Sequence, residues 1–262
     1  MIIFASFLPH PPLIISEIGK DNLVKLNKTI EAYKYLEAEL YNSKPDIIII
    51  ISPHSKINED AFTINQQPEL KVDFKEFGDL VTNKIFYNEY SLGYRIKESS
   101  ETSLPIILTS EEILDYGSSI PLLKLTEHLQ NIKILPIGYN GLNNKEYIKF
   151  GEAVKEEINK SGKRIAVVAS GDLSHRLHKD SPSGYSSRAQ EFDQTIIKLI
   201  NNNKIEEIIN FNKELLEESG ECGYRSLLIL LGIIKNLNYK VEKLSYESPF
   251  GIGYLVENFK IK

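Results

Sequence analysis

Three of the five histidines stand just past the end of an apolar run, each in a tight polar turn. They read Phe7-Leu8-Pro9-His10-Pro11-Pro12, Ile51-Ser52-Pro53-His54-Ser55 and Ala169-Ser170-Gly171-Asp172-Leu173-Ser174-His175. Imidazole is the commonest metal ligand, and the side chain best placed to move a proton near neutral pH. The runs before these turns, Ile2 to Phe7, Ile47 to Ile51 and Ile165 to Ala169, read as buried strands. In an open α/β sheet, ligands gather outside the carboxyl ends of strands. Three imidazoles delivered to one sheet edge predict a site.

Each residue also has a plainer reading. The prolines around His10 fix φ and stiffen its loop, which suits a metal ligand but also a histidine that only packs. His54 repeats the pattern after the next strand, which favours the ligand role for both. Around His175, Gly171 permits a tight turn, while Asp172 and Ser174 can bond nearby backbone or fix an imidazole tautomer. That setting suits acid/base catalysis by His175, against a third ligand or a structural turn. A hard divalent ion on two histidines calls for a carboxylate to complete a facial triad. Glu221, in Gly220-Glu221-Cys222-Gly223, is the best candidate, against a helix-start Glu favoured by the macrodipole. Cys222 beside it is a softer ligand, and Glu247 is a fallback carboxylate. His178 and His128 read as surface residues.

The elements that must position these groups follow from hydrophobic period. Asp21 reads as an N-cap, with Leu23, Leu26, Ile30, Tyr33 and Leu40 at helical spacing to about Tyr41. Five consecutive isoleucines, Ile47 to Ile51, then read as a strand covered on both faces. Residues 1–52 thus predict a strand-helix-strand unit with parallel strands. Residues 56–104 read as an excursion, with Leu70 to Phe74 as a half-exposed strand. Residues 105–109 read as a short strand or helix edge, Pro121 to Gln130 as helix and Lys133 to Ile137 as strand. Asn143 or Asn144 caps a helix to Ser161-Gly162. The last third is helical, including an apolar helix from about Gly223 to Leu237. Val241 to Tyr246 and Ile252 to Phe259, joined by Ser248-Pro249-Phe250-Gly251, predict an antiparallel hairpin. The fold class is α/β, a single domain over residues 1–262 with a mixed, mainly parallel sheet flanked by helices.

Bulk properties narrow the function. The 262 residues are 42% hydrophobic and 26% charged, with net charge -5, ordinary for a globule. No Lys/Arg cluster could neutralise a row of phosphates, which argues against nucleic acid. The longest apolar stretch, Leu227 to Ile234, is far short of the roughly 20 residues of a bilayer span, so no membrane partner is expected. Met1 to Phe7 has no basic region or cleavage site. The single cysteine excludes an internal disulfide framework and fits a cytoplasmic location.

Five motifs in order along the chain carry a resemblance. They are Leu8-Pro9-His10-Pro11-Pro12, Ser52-Pro53-His54-Ser55, Ser170 to His175, Glu221-Cys222-Gly223-Tyr224-Arg225-Ser226, and Ser245-Tyr246-Glu247 with Phe250-Gly251-Ile252-Gly253-Tyr254. Together they resemble the class III extradiol ring-cleavage dioxygenases of LigB type, a fold shared with Memo-like proteins. The dioxygenase-like proteins of the AmmeMemoRadiSam system look most similar. The resemblance implies non-haem Fe(II) on His10, His54 and Glu221, with His175 as acid/base, acting on a catechol-like or aminophenol-like substrate and O2. In the Memo-like branch the third position is a cysteine, here Cys222. That implies the alternative of a Cu-, Zn- or Fe-binding protein without ring cleavage, associated with a radical-SAM system. Related sequences often read Asp-His-Gly where this chain has Asp115-Tyr116-Gly117, and a phenol with a pKa near ~10 is a poor proton shuttle. Related proteins often assemble as dimers, so a homodimer is one state open to this chain.

Overall fold

The structure is a computed structural model, and it describes residues 1–55 and 60–262. The strands are β1 (Ile2–Leu8), β2 (Ile47–Ser52), β3 (Phe62–Asn65), β4 (Glu69–Lys71), β5 (Ile85–Asn88), β6 (Ile106–Thr109), β7 (Lys133–Tyr139), β8 (Ile165–Ser170), β9 (Tyr239–Glu247) and β10 (Tyr254–Ile261). The helices are α1 (Ser16–Gly19), α2 (Asn27–Ser43), α3 (Tyr90–Ser100), α4 (Tyr116–Leu125), α5 (Asn144–Ser161), α6 (Ala189–Asn201), α7 (Ile205–Ile209), α8 (Lys213–Ser219) and α9 (Tyr224–Ile233).

All described strands join one sheet, in the order β4-β5-β7-β2-β8-β1-β10-β9, with β3 and β6 paired beside β7. The centre is parallel, and β10 joins β1 antiparallel before pairing β9 as a closing hairpin. The chain is a single α/β domain with the mixed, mainly parallel sheet expected of it.

The isoleucine run shows why. Flanked by β7 and β8, β2 buries every residue, with Ile47, Ile49 and Ile51 in one core and Ile48 and Ile50 in the other. Alternation across a pleat sends successive side chains to opposite faces, so a run apolar at every position requires cover on both. Helices α5 and α9 cover the first face, and α2 and α4 the second. Asn143 closes a capping box with Glu146 at the start of α5, and Gly162 ends that helix at φ 66°.

Several boundaries differ from the sequence reading. Asp21 caps nothing, because Lys20–Leu26 is a 3-10 segment and the α-helix begins at Asn27. Its orphan amide at Thr29 is met by the distant Glu247 carboxylate, 2.7 Å away, which also accepts the Thr29 hydroxyl at 2.6 Å. The helix expected from Pro121 starts five residues earlier and holds Pro121 inside it. The strand expected over Leu70 to Phe74 stops at Lys71, and Phe74 instead leads into a 3-10 turn. The apolar helix ends at Ile233 rather than Leu237. Residues 56–59, the start of the expected excursion, lie outside the described residues. The rest of that segment supplies β3, β4, β5 and α3 to the same sheet and its cover.

Candidate metal centre

The turns after β1, β2 and β8 converge at the carboxyl edge of the sheet. His10 is buried, and its backbone N–H donates to Asp172 Oδ1 at 3.0 Å. Tyr33 holds the preceding carbonyl, donating its hydroxyl to Pro9 at 2.5 Å. The His10 ring is set by Ser170, whose Oγ lies 2.8 Å from Nδ1 and donates its own proton to the Gly117 carbonyl at 2.5 Å. That carbonyl is free because Pro121, four residues on, has no N–H to close the helical bond. With its proton spent on Gly117, the Ser170 oxygen accepts from Nδ1–H, so Nε2 carries the lone pair.

His54 Nε2 lies 3.0 Å from His10 Nε2. Its loop is tied by Ser52, whose Oγ accepts the His54 N–H at 3.2 Å and donates to Asp115 Oδ1 at 2.5 Å. Asp115 also caps α4 through the Ser118 N–H at 2.9 Å. Tyr116 stacks on the His54 ring at 4.3 Å and brings its hydroxyl within 2.9 Å of Nε2. A Cβ at Gly117 would come within 2.9 Å of His54 Cδ2, so this close packing needs glycine. Burial, reinforced by His10, lowers the His54 pKa to about 3. Burial also lowers that of His10, so both rings are neutral, the state in which imidazole binds metals.

The third side chain to meet them offers sulfur. Cys222 Sγ lies 3.6 Å from His10 Nε2 and 3.8 Å from His175 Nε2. The ligand atoms of His10, His54 and Cys222 all lie within 4.8 Å of one another. Those of Asp172, His175 and Cys222 form a second such group, sharing the sulfur. Two imidazole nitrogens 3.0 Å apart with a sulfur 3.6 Å from one of them could share one ion, and such a mixed nitrogen and sulfur set suits a transition metal. The donor set therefore fits an ion. Burial and the Asp172 charge push the Cys222 thiol up, so a thiolate there needs a cation to hold it.

Two glycines make this approach possible. Gly171, after β8, and Gly223, before α9, cross so closely that a Cβ on Gly171 would sit 2.1 Å from Gly223 Cα. At the crossing the Asp172 carbonyl accepts the N–H groups of Cys222 at 3.3 Å and Gly223 at 3.0 Å. Asp172 N–H in turn points at Cys222 Sγ at 3.2 Å. The buried Asp172 carboxylate faces both His10 and His175, with Oδ2 3.8 Å and 3.7 Å from their Nε2 atoms. Burial opposes its charge, but the two imidazoles and the His10 N–H outweigh that and hold its pKa below the ordinary value. His175 is partly open to solvent and fixed by its own N–H on the Ser219 carbonyl at 3.0 Å. Ser174 donates its hydroxyl to the same carbonyl at 2.8 Å, and Asp193 accepts the Ser174 N–H at 2.9 Å.

The structure does not bring Glu221 to the two imidazoles. Its buried carboxylate accepts the Tyr224 N–H at 2.5 Å at the start of α9 and lies 3.5 Å from Arg225. Glu247, the fallback, is occupied at α2. His128 is exposed beside Glu37, and His178 stands in the loop that Ser181 braces. Sequence reasoning missed Ser170 and Gly117 as the groups that fix His10. The signal was Pro121 itself, a missing donor four residues after Gly117.

A cavity of about 390 Å³ opens beside His54 and Tyr116, with Thr63, Asn65, Glu76 and Glu111 among its walls. Its volume falls at the lower end of the range for small-molecule sites.

Fold and site together define an α/β protein with a histidine–cysteine donor cluster at the carboxyl edge of its parallel strands. A family model described as the catalytic LigB subunit of aromatic ring-opening dioxygenase matches residues 4–257, and the chain belongs to that family. The LigB-type resemblance read from the motifs is thereby borne out. A Clostridium acetobutylicum protein is 31% identical over 257 residues, covering 94% of this chain and 55% of the relative. The chain thus spans about half the length of that relative. The 3,4-dihydroxyphenylacetate 2,3-dioxygenase of Escherichia coli is 24% identical, with 86% of each chain covered. A MEMO1 family protein of Methanosarcina barkeri is 27% identical over 158 residues, 60% of this chain and 50% of the relative. Among solved structures, an uncharacterized protein from Escherichia coli K12 shares the fold, with a TM-score of 0.71 at 17% identity over 98% of this chain and 99% of that one. No helix among the described residues is long and apolar enough to cross a membrane.

Proposed function

We propose that residues 1–262 form a metal-dependent, oxygenase-type enzyme whose ion is held by His10, His54 and Cys222 and which opens a catechol-like or aminophenol-like ring with O2. The observation that carries this reading is the convergence of two neutral imidazoles and one thiol beside a cavity of aromatic size. The family match and the dioxygenase relative support the chemistry. When bound, Fe(II) supplies the electron path between an aromatic diol and O2. The chain's own groups do the rest. His175 Nε2, at the open side of the cluster, takes the proton of a substrate hydroxyl and later returns it. Asp172 faces that imidazole and steadies its cationic form. The Tyr116 hydroxyl donates a hydrogen bond toward substrate oxygen. Its pKa is raised by burial and then by the neighbouring acidic groups, so it stays protonated and moves no proton itself. A free thiol ligand requires a reducing compartment, which favours the cytoplasm.

The test is anaerobic purification, iron loading and a panel of catechols and aminophenols followed by absorbance of the ring-opened product. Turnover is expected, and His175→Ala should slow it by the ~10²–10⁴-fold typical of lost acid/base catalysis while keeping the metal. An iron-loaded protein that opens no ring overturns the reading.

A second reading is favoured by one observation, the thiol standing where a carboxylate would complete a facial triad. A softer set of two imidazole nitrogens and one sulfur suits zinc or copper, and the chain would then bind metal in a Memo-like role without cleaving rings. Tight zinc or copper binding with no turnover in the iron form would select it.

A further inference from the structure

The cavity beside His54 carries a charge pattern that bears on what enters it. Its walls include four acidic residues, Asp73, Glu76, Glu111 and Asp115, and no Lys or Arg among the described residues. Two of the four are already engaged. Asp115 accepts from Ser52 and Ser118. Asp73 is ion-paired with Lys75 at 2.9 Å. Glu76 and Glu111 form no ion pair among the described residues, and both are exposed where they line the cavity. The same cavity is walled by Thr63, Asn65, Ile137 and Tyr116, and it reaches His54 of the cluster. Glu76 is near enough to Tyr116 to act on its hydroxyl through charge.

A small molecule that reached His54 through this cavity would share it with two carboxylates that no cation offsets among the described residues. Clefts lined by one sign of charge concentrate ligands of the opposite sign and repel their own. We propose that this site selects aromatic diols bearing a cationic ammonium group and discriminates against those bearing a carboxylate, with Glu76 and Glu111 as the specificity-determining residues. The inference rests on the metal-centred reading above. The diol belongs to the cluster and the ammonium to the two glutamates.

The test uses zinc-loaded protein without oxygen, so that binding is read and turnover is not. Three probes share the diol: dopamine, uncharged 4-methylcatechol and 3,4-dihydroxyphenylacetate. Calorimetric titration at low ionic strength should rank dopamine first and the carboxylate last. Exposed charge pairs of this kind give a gap of about ten-fold. The gap should shrink as salt is raised and collapse in the Glu76→Gln, Glu111→Gln double variant, in which dopamine should lose more affinity than 4-methylcatechol. If 4-methylcatechol binds but dopamine gains nothing over the carboxylate, the charge inference fails while the metal site stands. If all three bind equally well after the metal is removed, or none binds with it, the metal-centred reading fails and this inference falls with it.

Discussion

Pro121 sets the tautomer of His10. Lacking an N–H, Pro121 leaves the Gly117 carbonyl unclaimed inside α4, and Ser170 donates to that carbonyl at 2.5 Å. The same oxygen then accepts from His10 Nδ1 at 2.8 Å, which turns the Nε2 lone pair toward His54 and Cys222. A helix irregularity far along the chain thus determines which nitrogen faces the cluster.

Ser170→Ala tests this chain of bonds. The cavity left is small, and the Gly117 carbonyl and His10 Nδ1 both lose their partner. Zinc or iron affinity should fall by the ~10–100-fold seen when a partner of a metal-bound histidine is removed. Ser170→Thr, which keeps the hydroxyl, should restore part of it. Competition with a chelating dye would measure both. Unchanged affinity in the alanine variant would reject the role given to Ser170.

Cys222 and Glu221 make opposite predictions. Cys222→Ser should reduce metal affinity by more than that range, since a donor atom itself is lost. Glu221→Gln should keep the metal and instead weaken the start of α9, where the carboxylate meets the Tyr224 N–H, by about 1 kcal/mol. Elemental analysis of the two purified variants, with their thermal melts, separates the outcomes.

Gly171→Ala should be severe. The added methyl would sit 2.1 Å from Gly223 Cα, a backbone atom that no side-chain rotation can clear. We expect a loss of about 3 kcal/mol or more in urea unfolding, together with loss of metal, because the two backbones must part where they align Asp172 with Cys222.

Glu257 governs how stability responds to pH. It is wholly buried on β10, Oε1 accepts from Asn201 at 3.2 Å, and Oε2 has no partner among the described residues. Burial raises its pKa from 4.5 to about 8. The unfolded chain therefore gives up this proton at lower pH than the folded one. Stability is fully present below about pH 4.5 and declines as pH rises through about 8. Glu257→Gln should raise the melting temperature at pH 7 to 8, by a gain of roughly 1–3 kcal/mol, and should change little at pH 4. Melts across that range would show the difference, and a gain independent of pH would contradict it.

Much of the candidate cluster was legible because its signals are local. The Pro-His-Pro and Pro-His-Ser turns follow their strands directly, and strand alternation fixes which edge they reach. The isoleucine run announced a doubly covered strand by itself. What stayed hidden depends on partners distant in sequence. Glu221 and Cys222 are adjacent, and only the crossing of Gly171 with Gly223 decides which of them turns inward. The start of α2 at Asn27 rather than near Asp21 rests on Glu247, a cap supplied from the far end of the chain. Nothing near Asp21 could have shown it.

The candidate donors at positions 10, 54 and 222 follow β1, follow β2 and precede α9. An ion bound there would act as a removable cross-link, joining the opening strand to the final helix across a sequence separation of 212. A ribosome must release residues 1–222 before the sulfur can join the two imidazoles. Any fragment cut before residue 222 would hold two imidazoles and lack the sulfur that completes their grip.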